Sequence, residues 1–311
     1  MRRTVLLLVG LGLAACGSST PEGARDGGFK PDTGSTVDGG DDIILVPPDA
    51  STPKVDGGWV DPCPPEAKLV YVVDSNDTFS SFDPKALKTG GNPFKDLGQL
   101  DCPAGGASPF SMSIDRKAVA WVLYNDGQVF TVNTTTLACA ATGYTPRSDL
   151  KLFGMGYVSN SPGSLDETLF VAGGPSVSTV SSKLARMQLV PSMQLFDLGT
   201  VAGSPELTGT GDGNLWGFFP DATNPRVSQI DKASGADLKT FPASSIAGDP
   251  AAWAFAFWGG DFFIFLKRDA DSSTQVHRMS SKDGTLTTPL PDTGRRIVGA
   301  GVSTCAPTEP T

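Results

Sequence analysis

Five aspartates in the second half of the chain, Asp221, Asp249, Asp261, Asp269 and Asp271, are the residue set with the most obvious chemical use. Two carboxyls held about 5–10 Å apart across a cleft can hydrolyse a glycosidic bond, one as acid and the other as nucleophile or base. That would make an extracellular carbohydrate-active enzyme, and it is the alternative to a binding function. Asp126-Gly127, Asp212-Gly213 and Asp283-Gly284 could suggest calcium loops. A calcium site needs about six converging oxygens, and none of these stretches supplies the required acidic series. They read as hairpin turns. His277 is the single histidine, so a His-based metal site or a Ser-His-Asp device has one candidate. It lies in a strand-like run and reads as a surface or half-buried side chain. The chain has no Gly-x-x-x-x-Gly-Lys phosphate loop and no Gly-x-Ser-x-Gly elbow. In the aromatic stretch Trp253 to Phe265, two buried strands joined by Gly259-Gly260 account for most positions, and Trp258 beside the turn is the ligand-binding candidate. No catalytic residue, metal site or cofactor emerges, and the expectation is a non-enzyme.

The elements that must hold such residues are short. From Cys63 onward, β-branched and aromatic runs alternate with Gly, Asp, Asn and Pro, and no long helical period occurs. Aligned runs expose a repeat. The first unit has Leu69 to Val73, Thr78 to Asp83 and Lys85 to Leu87; the second has Ala118 to Tyr124, Gln128 to Asn133 and Thr135 to Leu137. The third has Thr168 to Ala172, Lys183 to Leu189 and Met193 to Leu198; the fourth has Leu215 to Phe219, Arg226 to Asp231 and Asp237 to Phe241. The fifth has Phe262 to Lys267, Gln275 to Ser280 and Gly284 to Thr288. Asp83, Asn133, Gln188, Asp231 and Ser280 are spaced by 50, 55, 43 and 49 residues. Asp or Asn at the end of a third strand can bond to the backbone of the following turn.

A further small-residue run precedes four of the units: Phe110 to Ile114, Phe153 to Val158, Glu206 to Thr210 and Ala252 to Phe257. Four strands per repeat of about 50 residues indicate a β-propeller blade. The first unit lacks its leading strand because Pro64 and Pro65 break the chain, while Ile297 to Val302 has the right alternation and nothing after it. Placed before Leu69, it completes the first blade and leaves no open sheet edge. The predicted fold is therefore all-β, a five-bladed propeller over residues 63–311, with a six-bladed ring as the alternative if the long third unit hides a blade.

Cysteine usage bears on that closure. Apart from Cys16, the chain has Cys63, Cys102, Cys139 and Cys305. An even set in an exported chain points to disulfides, with three possible pairings. Ring closure selects Cys63–Cys305 at the seam and leaves Cys102–Cys139. No Cys-x-x-Cys pair supports zinc.

Residues 1–15 have the layout of an export signal: Arg2 and Arg3, then an apolar run from Val5 to Ala15. The run is too short to span a bilayer. Leu13-Ala14-Ala15-Cys16 resembles the lipobox of bacterial lipoproteins. That resemblance implies cleavage before Cys16, a diacylglyceryl group on its thiol and a further acyl chain, such as palmitate, on its new amine. Several acyl chains give durable membrane anchoring, and Gly17 in place of Asp implies the outer membrane. Residues 16–62 are rich in Gly, Asp, Pro, Ser and Thr, with Asp26-Gly27-Gly28, Asp38-Gly39-Gly40 and Asp56-Gly57-Gly58, and read as a flexible linker. Such Asp-Gly-Gly stalks are similar to those of lipoproteins from predatory or soil Deltaproteobacteria.

The formal charge is −9, or −11 once the signal with its two arginines is removed. An acidic surface argues against nucleic acid and anionic lipid as partners. Tyr71-Val72-Val73-Asp74 and Leu215-Trp216-Gly217-Phe218 resemble repeats of bacterial TolB-, YVTN- and WD40-like propellers. That resemblance implies an envelope propeller, and the single histidine and missing catalytic motifs favour a module, expected to be monomeric, that binds protein, peptide or glycan.

Overall fold

The computed structural model describes residues 54–55, 58–59, 62–177 and 180–310. The expected export signal, the lipidation candidate Cys16 and most of the expected linker lie outside the described residues. Within the linker, Lys54–Val55 pairs antiparallel with Gly58–Trp59. Beyond it stand five four-stranded antiparallel sheets, the blades of a five-bladed β-propeller. From the axis outward, blade I comprises Ile297–Val302, Val70–Asp74, Thr78–Phe82 and Phe94–Gln99. Blade II comprises Pro109–Ile114, Val119–Tyr124, Val129–Asn133 and Cys139–Ala141. Blade III comprises Leu152–Ser159, Glu167–Gly174, Ser182–Gln188 and Gln194–Val201. Blade IV comprises Glu206–Gly209, Leu215–Phe219, Arg226–Ile230 and Asp237–Pro242, and blade V comprises Pro250–Trp258, Asp261–Arg268, Gln275–Ser280 and Leu286–Leu290.

The six-bladed alternative fails because the extra residues of the third unit lengthen its own strands, which run to 8, 8, 7 and 8 residues. The outer strands of blades I and II lie further along the chain than the repeat suggested. Ala86–Thr89 is a single helical turn, ended by Gly90 in the left-handed region at φ 69°, where a residue without Cβ carries no penalty. Its straight-chain residues favour helix, and the edge strand forms only afterwards. Thr135 to Leu137 is likewise a turn, with the Thr135 and Thr136 N–H groups donating to Asn133 Oδ1. The same cap recurs after other third strands: Asp83 Oδ1 accepts from Lys85 N at 2.9 Å, and Asp231 Oδ1 accepts from Ser234 N at 2.8 Å.

Period-two alternation builds the ring. In the strand Val70–Asp74, Val70 and Val72 point toward blade V, while Tyr71 and Val73 point toward blade II. Each of the five apolar clusters fills the gap between two successive blades. The two aromatic strands of blade V divide in this way. Phe255 and Phe257 face blade IV, and Phe263 and Phe265 face blade I. Near the axis the spacing tightens. A Cβ on Gly154 would lie 2.2 Å from Pro205 O, and one on Gly209 would lie 2.0 Å from Tyr157 O, so only glycine lets the inner strands of blades III and IV approach this closely. Hydroxyl groups bridge inner-strand amides that no ladder satisfies. Tyr157 N donates to Ser113 Oγ at 3.1 Å, and Phe257 N to Thr208 Oγ1 at 3.1 Å, which meets the requirement that buried backbone groups be paired.

Ile297–Val302 pairs antiparallel with Val70–Asp74, with Val302 opposite Val70. The ring thus closes with strands from both ends of the propeller sequence. Cys63 is bonded to Cys305 across this seam, and Cys102 to Cys139 between the outer parts of blades I and II.

Candidate functional site

The five aspartates do not converge. Asp261 opens the second strand of blade V and holds Arg278 at 2.6 Å. Asp271 lies in the loop at the other end of that strand, bound to Arg268 at 2.9 Å, and the Asp269 N–H donates to Asp249 O. Asp221 caps its own turn through Thr223 N and Asn224 N. The carboxyls of Asp221, Asp261 and Asp271 are thus engaged locally, and Asp249, Asp269 and Asp271 are neighbours at one end of blade V, apart from the other two. His277 is fully buried, at 1% exposure, where the sequence suggested a surface or half-buried side chain. Period two in Gln275–Ser280 turns it inward, its Nδ1 lies 2.8 Å from Thr288 Oγ1, and burial drops its pKa to about 4. It is neutral at physiological pH. Trp258 is half-buried against the seam, its indole N–H donating to Lys68 O at 2.9 Å.

The two ends of the propeller axis differ. Where the inner strands end, the chain following Val302 crosses the axis. Thr304 Oγ1 accepts from Arg116 Nη1 at 2.9 Å and donates to Glu167 Oε2 at 2.8 Å. Glu167 Oε1 accepts from Arg116 N at 2.8 Å. A Cβ on Gly211 would stand 2.5 Å from Thr304 O. One residue therefore touches blades II and III and the chain following blade IV's inner strand, and plugs this end.

Burial pushes the Glu167 carboxyl up to about 7, against the hydrogen bonds from Arg116 N–H and the Thr304 hydroxyl, and with Asp115 adding repulsion. Unfolded, the group returns toward its ordinary 4.5, so the folded chain binds this proton more tightly. Its stabilising contribution is complete below about pH 4.5 and is lost as pH rises through about 7, a span of about 3 kcal/mol. Chemical unfolding at pH 5 and pH 8 should show a steeper decline in the native chain than in Glu167→Gln, which keeps only the part owed to other buried carboxyls such as Glu206. An equal decline in both would place the effect elsewhere.

At the other end the inner strands begin, and a recess of about 340 Å³ opens there. Phe110, Trp253 and Val298 supply apolar wall, and Asn125 and Arg296 contribute polar groups. Glu206, only 3% exposed, lines it as well. Its Oε2 accepts from Ser111 Oγ at 2.8 Å, the one hydrogen bond of that carboxyl among the described residues. Burial pushes Glu206 well above the usual carboxylate range, which favours the neutral, donor-bearing acid. The two inward carboxyls lie at opposite ends. A Cβ on Gly154 would lie 2.7 Å from Glu206 Cα, and Ser159, at the far end of that strand, pairs with Glu167. Five residues of strand separate them, about 16 Å at roughly 3.3 Å per residue.

The sequence pattern did not single out Glu206. The one available signal was an acidic residue opening an inner strand whose neighbours are small or apolar. Arg296 and Phe110 carried no signal, because the recess is assembled from four blades.

No protein-family model matches the chain, and no curated protein matches it. Among solved structures, similarity extends to a chain of the mitotic checkpoint complex at 14% identity and TM-score 0.35, over 78% of this chain and 72% of that one. A GH43 β-1,3-galactosidase is similar at 11% identity and TM-score 0.39, over 58% of this chain and 48% of its own length.

Proposed function

We propose that the chain is a bacterial cell-envelope lipoprotein of Deltaproteobacterial type, held at the outer membrane by Cys16, whose propeller is a non-catalytic binding module. The observation that carries the binding role is the asymmetry of the axis, plugged at one end by Thr304, Arg116 and Glu167 and recessed at the other around Glu206. A concave apolar recess with a few polar groups is the usual form of a ligand site. The inward carboxyls, set apart along the axis, do not form the pair that glycoside hydrolysis needs. Trp258 is not part of this recess and lines a separate pocket with Leu87, Asp261 and Arg278.

A photo-crosslinking residue at position 177, on the exposed edge of the recess, tested in cells of the source bacterium, should capture a partner that the same residue at position 282, by the plugged end, does not. Equal capture at both positions, or none at 177, would count against the recess as the binding face. The tether has a separate test. The native chain should incorporate an alkyne-tagged palmitate and stay with washed outer membranes, whereas Cys16→Ser should do neither. A labelled Cys16→Ser chain would remove the lipid-anchor reading.

A further inference from the structure

The recess has a bias in its hydrogen-bonding groups. Among its acceptors, Asn125 Oδ1 takes the Ser108 N–H at 3.4 Å, and Ala251 O takes Arg296 Nη2 at 2.7 Å. Ser108 O accepts from Asn125 N at 2.9 Å, and Arg296 O from Ser75 N at 2.8 Å. Glu206 Oε2 is occupied by Ser111. The groups left over include the rest of the Arg296 guanidinium, the Asn125 amide N–H pair and, on the neutral acid, the Glu206 hydroxyl, all donors, together with the Ser75 and Ser108 hydroxyls, which can also donate. Arg296 is exposed, so its charge reaches the opening. No carboxylate in the wall cancels that charge while Glu206 keeps its proton. Beside these donors stand the half-buried rings of Phe110 and Trp253.

A donor-rich, cationic rim over an aromatic wall is complementary to an anion with an apolar body. A planar guanidinium matches the two oxygens of a carboxylate, and the rings match a large apolar group. Resting on the reading of the recess as the binding face, we infer that it takes a carboxylate borne on an apolar or aromatic body. Arg296 and Asn125 hold the oxygens, and Phe110 and Trp253 flank the body. Two sources present this chemistry: the C-terminus of a peptide ending in a large apolar residue, and a free N-acylated amino acid.

The test titrates the full chain, in detergent, with N-acetylphenylalanine, with Ala-Ala-Ala-Phe carrying a free terminus, and with the amide of each. The acids should bind and the amides should bind about tenfold more weakly, the ratio expected when one charge-assisted contact is lost. Arg296→Gln should weaken the acids by about tenfold and leave the amides unchanged. Arg296→Lys, which keeps the charge, should recover part of the loss, and both variants should melt with the native chain. Among the acids, tighter binding of the tetrapeptide assigns the site to a peptide terminus, and equal binding assigns it to the free acid. Acid and amide binding alike, or saturation by none of the four, would overturn the carboxylate assignment. If position 177 still crosslinks its partner in that event, the binding face stands and only the ligand class falls.

Discussion

Serine at both Cys63 and Cys305 should lower the unfolding free energy by about 5 kcal/mol, the largest loss expected from any change to the ring. The bond closes 242 residues. Its removal frees the two terminal strands of blade I to separate by nearly the length of the whole propeller in the unfolded chain. The same chain-entropy argument applied to Cys102–Cys139, 37 residues apart, gives about 4 kcal/mol. The seam variant should therefore be the weaker of the two in denaturant unfolding under non-oxidising conditions. Small domains have unfolding free energies of about 5–15 kcal/mol, so a loss of this size moves the midpoint visibly. A seam variant that keeps its midpoint, or outlasts the Cys102–Cys139 variant, would mean that strand pairing alone holds the ring shut.

Alanine at Phe82 should cost about 4 kcal/mol, within the range for deleting a buried aromatic side chain. Phe82 is 1% exposed and sits where blades I and V meet. Its ring centroid lies 5.2 Å from that of Phe94, 5.5 Å from Phe263 and 5.1 Å from Phe265, so the substitution removes aromatic contacts from both blades at once. The cavity would open where Thr78–Phe82 packs on Asp261–Arg268, strands from opposite ends of the propeller sequence. Leu238→Ala is the matched control. Leu238 is 60% exposed, and its loss should change stability by less than about 0.5 kcal/mol. Thermal melts of both variants decide the matter, and comparable melting temperatures would show that the interface between blades I and V is not limiting.

The ring was legible in the sequence because its causes are local and periodic. Tyr71-Val72-Val73-Asp74 alternates at period two, Asp83, Asn133 and Asp231 cap recurring turns, and Ile297 to Val302 repeats the small-residue pattern of the other inner strands. The outer strands of blades I and II were misplaced. The sequences after Asp83 and Asn133 favour turns, and an edge strand such as Cys139–Ala141, three residues long, is set by its neighbour more than by its own residues. The recess was not legible at all. Phe110, Glu206, Trp253 and Arg296 belong to four blades and share no spacing, and the burial that governs Glu206 arises from packing. His277 shows the same limit. Its strand was read correctly, but its depth depends on the elements packed over it, among them Thr288 in the next strand.

The bond at the seam also fixes how the molecule carries load. Val70 and Val302 are paired at the same end of blade I, and Cys63 and Cys305, with Cα atoms 5.8 Å apart, join just beyond them. A pull on the chain upstream of Cys63 is divided at that bond and reaches both seam strands from one side. They are tugged together, with no sliding between them, so tension applied upstream of Cys63 does not unzip the ring, and blade I takes it up at the end of the axis away from the recess.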